Sequence, residues 1–341
     1  MTLFLSREDL TGLLSTAEVV RAVEEIHLDL GLGTMTQGPP ALLASGVGDA
    51  VLLPMAALSD RLGLAVVKLM CDIPENRERG LPPQRSTLLV SSTVTGECVA
   101  VLDGAVLTRQ RTAAASAVAT AHLARADSRT LGLVGAGALA VEHVRALTEV
   151  RAFERVVVWT RSEQTLVDFA LACDELGLDL PLTRATSAYD VVAQSDVVCT
   201  LTPSRTPVVE GRWFRAGQHI NAVGAPPRPT HREIDAEGIA RSELFVDSAS
   251  TSMAKSGEIL LAIAEGALPP HPGLRELGAV VAGRDPGRVD PDAITLFNSV
   301  GIGAQDLAVA ALAIDRARLT GVGTDLPMTA PQLQDAGQQP G

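Results

Sequence analysis

LGLVGAGALAVEHV, residues 131–144, contains an apolar run typical of a buried strand, a glycine-rich turn and the start of an alanine-rich helix. The turn, Gly135-Ala136-Gly137-Ala138-Leu139-Ala140, matches the G-x-G-x-x-A pattern of dinucleotide sites. Gly135 permits a tight turn, Gly137 lets the backbone approach a pyrophosphate, and Ala140 lets helix and strand pack closely. The phosphates would lie at the helix N-terminus, whose free N–H groups favour anions. Glycine turns also join strands to helices where nothing binds, so that alternative stays open.

A second predicted strand, residues 156–159, ends in Thr160-Arg161-Ser162. This is about where a dinucleotide fold places the residue that meets the adenine ribose. An NAD site usually has an acidic residue there, whereas an arginine suits the 2′-phosphate of NADP. We therefore predict that NADP(H) is favoured over NAD(H), with Arg161 binding the phosphate and the Thr160 and Ser162 hydroxyls donating hydrogen bonds. The alternative is an exposed arginine in a loop.

Composition and charge exclude several classes of protein. The chain has 341 residues and a formal net charge of −12, without the clustered Lys and Arg that a nucleic-acid surface needs. Its hydrophobic residues occur in short runs, none long enough to span a bilayer. The N-terminus, MTLFLSREDL, does not resemble a secretory signal, which predicts a cytoplasmic protein. The cysteines and histidines have neither disulfide nor metal-ligand spacing, so no metal site is predicted.

The order of elements predicts an α/β protein with two folded domains. Residues 6–30 are predicted to be helical, and residues 50–106 contain strands without long helices between them, which indicates an antiparallel sheet or open barrel. From Leu131 onward strands alternate with helices, which predicts a Rossmann-type doubly wound parallel sheet. A helix from near Gly303 to Arg318 comes too late for that sheet. It is expected to pack back on the first domain.

These patterns set the predicted domain boundaries. An α+β substrate-binding and dimerisation domain comprises residues 1–121 and 299–325, and the Rossmann dinucleotide-binding domain comprises residues 122–298. The last segment, residues 326–341, is polar and contains proline and glycine, so it is predicted to be disordered.

Two basic residues of the first domain are candidates for chemistry. Lys68 lies inside an apolar strand, LAVVKLM, where a charged amine is costly unless it has a partner or a task. Arg111 begins the run RTAAASAVATAHLA, a predicted helix that leads into the nucleotide domain, so its side chain can face the cleft between domains. The alternatives are an edge-strand lysine that reaches water, and an arginine that is exposed or pairs across the domains.

The sequence resembles the ornithine cyclodeaminase/mu-crystallin family over nearly its whole length. The resemblance rests on VVKLMCDIPENRERGLP, LDGAVLTRQRTAAASA, the glycine turn, VVVWTRS, TLTPSRTPVV, GQHINAVGA and ITLFNSVGIGAQDLA, in that order. It implies an NAD(P)-dependent homodimer with its active site between the domains, Lys68 near a reacting imine or carbonyl and Arg111 at the substrate carboxylate. Beyond the turn and Thr160–Ser162, the predicted cofactor contacts are Thr112, Thr200, Leu201, Thr202, Pro203, Val223, Gly224 and Ser299.

Two departures from the family pattern bear on the reaction. Cyclodeaminases of the family have an aspartate after the VGA turn, where it acts as base, and this chain has Pro226. The family often carries a substrate arginine in a PPR motif, and this chain has Ala41 there, which removes a bidentate carboxylate donor. Either Arg85 supplies a substitute charge to the substrate, or the substrate has one acidic group fewer.

Three hypotheses for function follow. The first is an NADP(H)-dependent oxidoreductase acting on the C–N bond of a small amino acid or cyclic imine, as in the imine and ketimine reductases. The second is an ornithine or lysine cyclodeaminase that recycles NAD and uses another base, such as Glu258, Asp247 or water. The third is an NADPH-binding protein without turnover, like the crystallin of the family. None of them requires a nucleic-acid or membrane partner.

Overall fold

Two eight-stranded sheets, each covered by helices, make up the computed structural model, which describes residues 1–328. The first sheet consists of β1 Thr2–Leu5, β2 Met35–Gln37, β3 Leu43–Ala44, β4 Val51–Ser59, β5 Leu64–Asp72, β6 Gln84–Ser92, β7 Cys98–Asp103 and β16 Thr324–Leu326. The second consists of β8 Thr130–Val134, β9 Arg155–Trp159, β10 Leu182–Arg184, β11 Val197–Thr200, β12 His219–Ala222, β13 Glu243–Val246, β14 Arg275–Glu276 and β15 Thr295–Asn298. The helices are α1 Arg7–Leu10, α2 Thr16–Leu32, α3 Ala105–Leu123, α4 Ala138–Thr148, α5 Glu163–Glu175, α6 Ala188–Gln194, α7 Ala236–Ala240, α8 Ala249–Lys255, α9 Gly257–Ala264, α10 Leu277–Val281 and α11 Gly303–Thr320.

The predicted N-terminal helical region is present as two helices, α1 and α2. Ser6 and Ser15 are their N-caps, and each forms a capping box with the acidic residue three positions later. Helix α2 ends at Gly33, which adopts the left-handed conformation that glycine tolerates best. The region is therefore helical as predicted, with a break between the two caps.

The first sheet is mainly antiparallel, in the order β16-β1-β7-β6-β5-β4-β2, with β3 also paired to β4. The prediction of an antiparallel sheet is confirmed for β4 to β7, but β1 pairs with β7 in parallel. Helix α11 packs against β4, β5 and β6, as well as against α2 and α3. The chain therefore returns from the second domain to complete the core of the first, as expected.

The second sheet is parallel throughout, in the order β10-β9-β8-β11-β12-β15-β13-β14. It confirms the predicted doubly wound sheet. The strand order reverses between β8 and β11, and the crevice at the carboxyl ends of these strands is where such sheets bind ligands. The late strand β15 lies between β12 and β13, a place that the sequence pattern did not predict.

Helix α3 joins the two domains. Its alanine-rich segment is buried on all sides, because α3 packs against α2 and α11 in the first domain and against α4 and β12 in the second. Small side chains allow these close approaches. The helix continues to Leu123, so the predicted boundary after residue 121 falls inside it.

The end of the chain is only partly described. Leu326, the first residue of the predicted disordered tail, is the last residue of β16, and residues 329–341 lie outside the described residues. Among residues 1–328, no helix is long and apolar enough to cross a membrane.

Candidate active site

The glycine-rich turn lies between β8 and α4, at the switch point of the parallel sheet. Gly135 has a φ of +114°, and a Cβ there would lie 2.9 Å from the Leu201 carbonyl oxygen, so glycine is required on both counts. Within residues 1–328, a Cβ at Gly137 would meet no atom within 4 Å. No side chain among these residues caps the N-terminus of α4. The turn therefore leaves open space in front of free N–H groups, which is the geometry that binds phosphate.

A cavity of about 220 Å³ lies beside this turn. Its lining includes eight of the predicted cofactor contacts, Gly135, Ala136, Gly137, Thr160, Arg161, Leu201, Thr202 and Pro203. Arg161 is exposed and forms no ion pair within residues 1–328. Ser162 lies next to the cavity as the N-cap of α5, where its hydroxyl accepts a hydrogen bond from the Thr165 N–H at 3.3 Å.

A second cavity, of about 230 Å³, lies between the two domains. It brings together predicted residues from both sides, namely Arg111, Thr112, Leu139, Val223, Gly224 and Ser299. Thr108, Met55 and Met70 of the first domain also line it, and so does Pro226. Among the described residues, no aspartate or glutamate lines this cavity. The residue at the position of the cyclodeaminase aspartate is therefore in the cavity wall, and it carries no base.

Lys68 and Arg111 both donate hydrogen bonds to one carboxylate, that of Asp306 in α11. Lys68 Nζ donates to Asp306 Oδ1 at 3.0 Å and to Thr108 Oγ1 at 2.8 Å. Arg111 Nε donates to the same Asp306 oxygen at 3.1 Å. The side chains of Lys68 and Asp306 are fully buried, and that of Arg111 is 6% exposed. Lys68 thus stands one hydrogen bond behind Thr108, while Arg111 itself borders the cavity.

Burial is the dominant influence on the charge of Lys68. It lowers the pKa of the Lys68 ammonium to about 8, against the opposing attraction of Asp306, and nearby Arg111 lowers it further. A lysine with a pKa near neutrality can both hold and release a proton at physiological pH.

Asp306 is not among the residues predicted from the sequence. Its signal was a carboxylate in the apolar run GIGAQDLAVAALAI, which forms a helix buried on nearly all sides. A buried charge requires a partner, as was argued for Lys68. The sequence separation of 238 residues hid the pairing.

Arg85 does not line the interdomain cavity. It pairs with Cys71 across β5 and β6, and alternation along the strand places it on the opposite face from Lys68 and Leu88. It lines a separate, larger cavity at the end of the first sheet. The candidate bases Asp247 and Glu258 are buried outside the interdomain cavity. Asp247 accepts hydrogen bonds from Gly301 N–H and Ser299 Oγ, and Glu258 accepts one from Glu233 N–H.

Glu233 is a second functional candidate that the sequence did not reveal. Its fully buried carboxylate accepts hydrogen bonds from Thr200 Oγ1 at 2.8 Å, from the N–H and hydroxyl of Thr202 at 2.6 and 2.7 Å, and from Gly224 and Ala225 N–H at 2.8 and 3.2 Å. Thr200 is the last residue of β11, and the other donors belong to the loops after β11 and β12. One carboxylate therefore fixes two loops that carry predicted cofactor contacts.

Glu258 binds the backbone of Glu233. Its carboxylate accepts from the Glu233 N–H at 2.7 Å and from the Ile234 N–H at 3.3 Å. Burial, together with the nearby Glu233 carboxylate, raises the pKa of Glu258 to about 8. This shift favours the protonated form of Glu258. That state avoids two like charges in one buried site.

These features define a class of protein. A glycine-rich turn at the switch point of a doubly wound sheet, facing a second domain across a cavity, is the arrangement of a dinucleotide-binding protein whose second domain holds the substrate. The open space at Gly137 and the uncapped start of α4 fit the phosphates of such a cofactor.

The chain belongs to the ornithine cyclodeaminase/mu-crystallin family, whose model matches residues 1–321. It is 32% identical to alanine dehydrogenase of Archaeoglobus fulgidus over 325 residues, covering 95% of this chain and 98% of that protein. Two solved structures are also similar. Δ1-pyrroline-2-carboxylate reductase of Thermococcus litoralis, in complex with NADH and L-proline, has a TM-score of 0.89 at 34% identity, covering 95% and 100% of the two chains. Iminosuccinate reductase of Paracoccus denitrificans, in complex with NAD⁺, has a TM-score of 0.87 at 30% identity, covering 96% and 99%. The resemblance inferred from the sequence motifs is confirmed.

Proposed function

We propose that this protein is an NADP(H)-dependent oxidoreductase that reduces the C=N bond of a small imino acid. An oxidoreductase acting on C–N bonds agrees with the reductase and dehydrogenase relatives. The observation that carries the proposal is the interdomain cavity, because it lies between the nucleotide turn and the Lys68–Asp306–Arg111 cluster and has no carboxylate in its described lining.

Each residue of the cluster has a proposed role. Arg111 borders the cavity and holds the α-carboxylate of the substrate. The cofactor, when bound, supplies the hydride that reduces the imine carbon. The imine nitrogen must also take up one proton, and Lys68 delivers it through Thr108, a cavity-lining residue whose hydroxyl accepts a hydrogen bond from Lys68. Asp306 keeps both cations in place.

The observed contacts give less support to the other two hypotheses, a cyclodeaminase and an NADPH-binding protein without turnover. A cyclodeaminase needs a base at the substrate amine, and Pro226 stands where the family aspartate would be. Asp247 and Glu258 do not line the cavity, and each accepts hydrogen bonds from backbone N–H groups. A protein that only binds NADPH has no use for a lysine that is fully buried beside the cavity, because burying that charge is costly.

A panel of substrates tests the proposed activity. We expect the protein to oxidise NADPH stoichiometrically with pyrroline-2-carboxylate or piperideine-2-carboxylate, followed by loss of NADPH absorbance. Release of ammonia from ornithine or lysine without net cofactor change would instead identify a cyclodeaminase. Tight NADPH binding with neither reaction would identify a binding protein.

The preference for NADP(H) rests on Arg161, which is exposed beside the 220 Å³ cavity without an ion-pair partner among the described residues. We expect NADPH to bind at least about tenfold more tightly than NADH, and Arg161→Ala to remove that preference while leaving NADH affinity unchanged. Quenching of intrinsic fluorescence measures both dissociation constants. Arg184→Ala, which removes another exposed arginine of the same domain, is the matched control. Equal affinities in the wild type would contradict the preference.

A homodimer is the proposed assembly. One face of the first sheet presents a row of apolar side chains across neighbouring strands, formed by Phe4, Val101, Leu89 and Val67. Phe4, Leu89 and Val67 are 41%, 42% and 48% exposed. A contiguous apolar row of this kind is typical of a protein interface. The cytoplasmic location inferred from the sequence stays a prediction.

A further inference from the structure

The largest of the cavities described here, about 880 Å³, lies at the end of the first sheet, where β5 and β7 finish and β6 begins. Three arginines from different elements line it: Arg7 from α1, Arg85 from β6 and Arg109 from α3. Arg7 and Arg85 are exposed, and Arg109 is half-buried. Three positive side chains therefore surround one space.

These arginines are only partly neutralised within the described chain, because the Glu142 and Asp103 carboxylates attract Arg109 without pairing with it. Within residues 1–328, none of the three guanidinium groups forms an ion pair or donates a hydrogen bond. Asp103 is the one acidic residue in the described lining, and its Oδ1 accepts from the Ala105 N–H at 2.8 Å. Burial lowers the pKa of Arg109, and repulsion from Arg7 lowers it further. Holding like charges together in this way is unfavourable unless an anion binds between them.

This cavity, hereafter the arginine cavity, adjoins the interdomain cavity. The two share four lining residues, Met70, Gln84, Thr108 and Arg109. Arg109 therefore borders both spaces. Thr108 also lines both cavities, whereas Arg85 lines the arginine cavity and Arg111 the interdomain cavity.

We propose that the substrate carries a second carboxylate, which binds to Arg109 and Arg85 in the arginine cavity. The substrate class is then a 2-imino dicarboxylic acid, with its α-carboxylate on Arg111 and its distal carboxylate on the other two arginines. Arginine binds a carboxylate through paired N–H groups, which gives both affinity and orientation. This inference rests on the proposed imine reduction. It also answers the question that Ala41 raised: the second charge comes from β6 and α3.

The test compares two imines that differ at the distal group alone. In ammonia buffer, 2-oxoglutarate forms a diacid imine, and 2-oxopentanoate forms its analogue with a methyl group in place of the distal carboxylate. We expect kcat/KM to be at least about tenfold higher for the diacid imine. The free energy of one hydrogen bond to a charged group is enough for a tenfold difference. Arg109→Ala and Arg85→Ala should each remove most of that preference, measured as the ratio of kcat/KM for the diacid imine to kcat/KM for the monoacid imine.

Matched measurements identify the cause of any change. Arg212→Ala removes an exposed arginine of the other domain and should leave both substrates unaffected. Fluorescence titration with NADPH and sedimentation velocity are run on every variant. The expected result is an unchanged NADPH dissociation constant and an unchanged molecular mass in Arg109→Ala and Arg85→Ala.

Several results would overturn the inference. If the enzyme reduces the monoacid and diacid imines with equal kcat/KM, the proposal of a second substrate carboxylate is rejected. The proposed imine reduction is then unaffected. A tenfold loss of NADPH affinity in Arg109→Ala assigns that arginine to the cofactor phosphates. A lower mass for Arg85→Ala assigns Arg85 to the subunit interface. Absence of NADPH oxidation with every imine, including the cyclic ones, rejects the proposed function together with this inference.

Discussion

Replacing Asp306 with alanine is expected to lower the free energy of unfolding by about 3–5 kcal/mol, because two buried cations lose their shared anion. Lys68 Nζ and Arg111 Nε both donate to one oxygen of this carboxylate, at 3.0 and 3.1 Å. The Asp306 and Lys68 side chains are fully buried, so water cannot replace the lost partner. Urea-induced unfolding of wild type and variant, followed by circular dichroism, measures the difference.

An exposed ion pair provides the control for Asp306. Arg184 and Glu163 pair at 2.7 Å with side chains that are 62% and 73% exposed. Glu163→Ala is expected to cost less than about 1 kcal/mol, because solvent screens such a pair. Asp306→Asn retains the shape and one acceptor oxygen, so its cost should be intermediate. A loss of stability in Asp306→Ala no larger than that in Glu163→Ala would show that Asp306 does not hold the two buried cations.

The parts of the molecule that sequence reasoning recovered are those with local signals. The turn from Gly135 to Ala140 combines an apolar strand, two glycines and a helix within a few residues. Ser6 and Ser15 each precede a helix with an acidic residue three positions later. Local patterns of this kind reflect backbone sterics and helix capping. Their effect on structure does not depend on residues that are distant in sequence.

The parts that were missed depend on distant pairing. Strand β15 enters the second sheet between β12 and β13, and β16 extends the first sheet by pairing with β1 from the far end of the chain. Asp306 meets Lys68 across 238 residues. Glu233 binds two loops that precede it in sequence. In each case the partner is chosen by the packing of the folded chain, and a single sequence carries no local mark of it.

Lys68→Met is expected to lower kcat/KM for imine reduction by about 10²–10⁴-fold, the usual contribution of a positioned proton donor. The variant should fold, because Asp306 still pairs with Arg111. The wild-type pH profile follows from the pKa of Lys68, which burial lowers to about 8. The reaction consumes a proton and needs the ammonium form. Activity should therefore be present below that pKa and be lost as the pH rises through it.

Steady-state rates across about pH 6–10, with the same imine throughout, separate this titration from that of the substrate. In Lys68→Arg the side chain stays protonated over the whole range, so the fall near pH 8 should disappear even though a larger guanidinium in this packed site lowers the rate. NADPH affinity, measured by fluorescence, should be the same in all three proteins, because Lys68 lies on the first-domain side of the cavity. A fall in kcat/KM that persists unchanged in Lys68→Arg would assign it to the imine or to another group, and would remove Lys68 from the proton path.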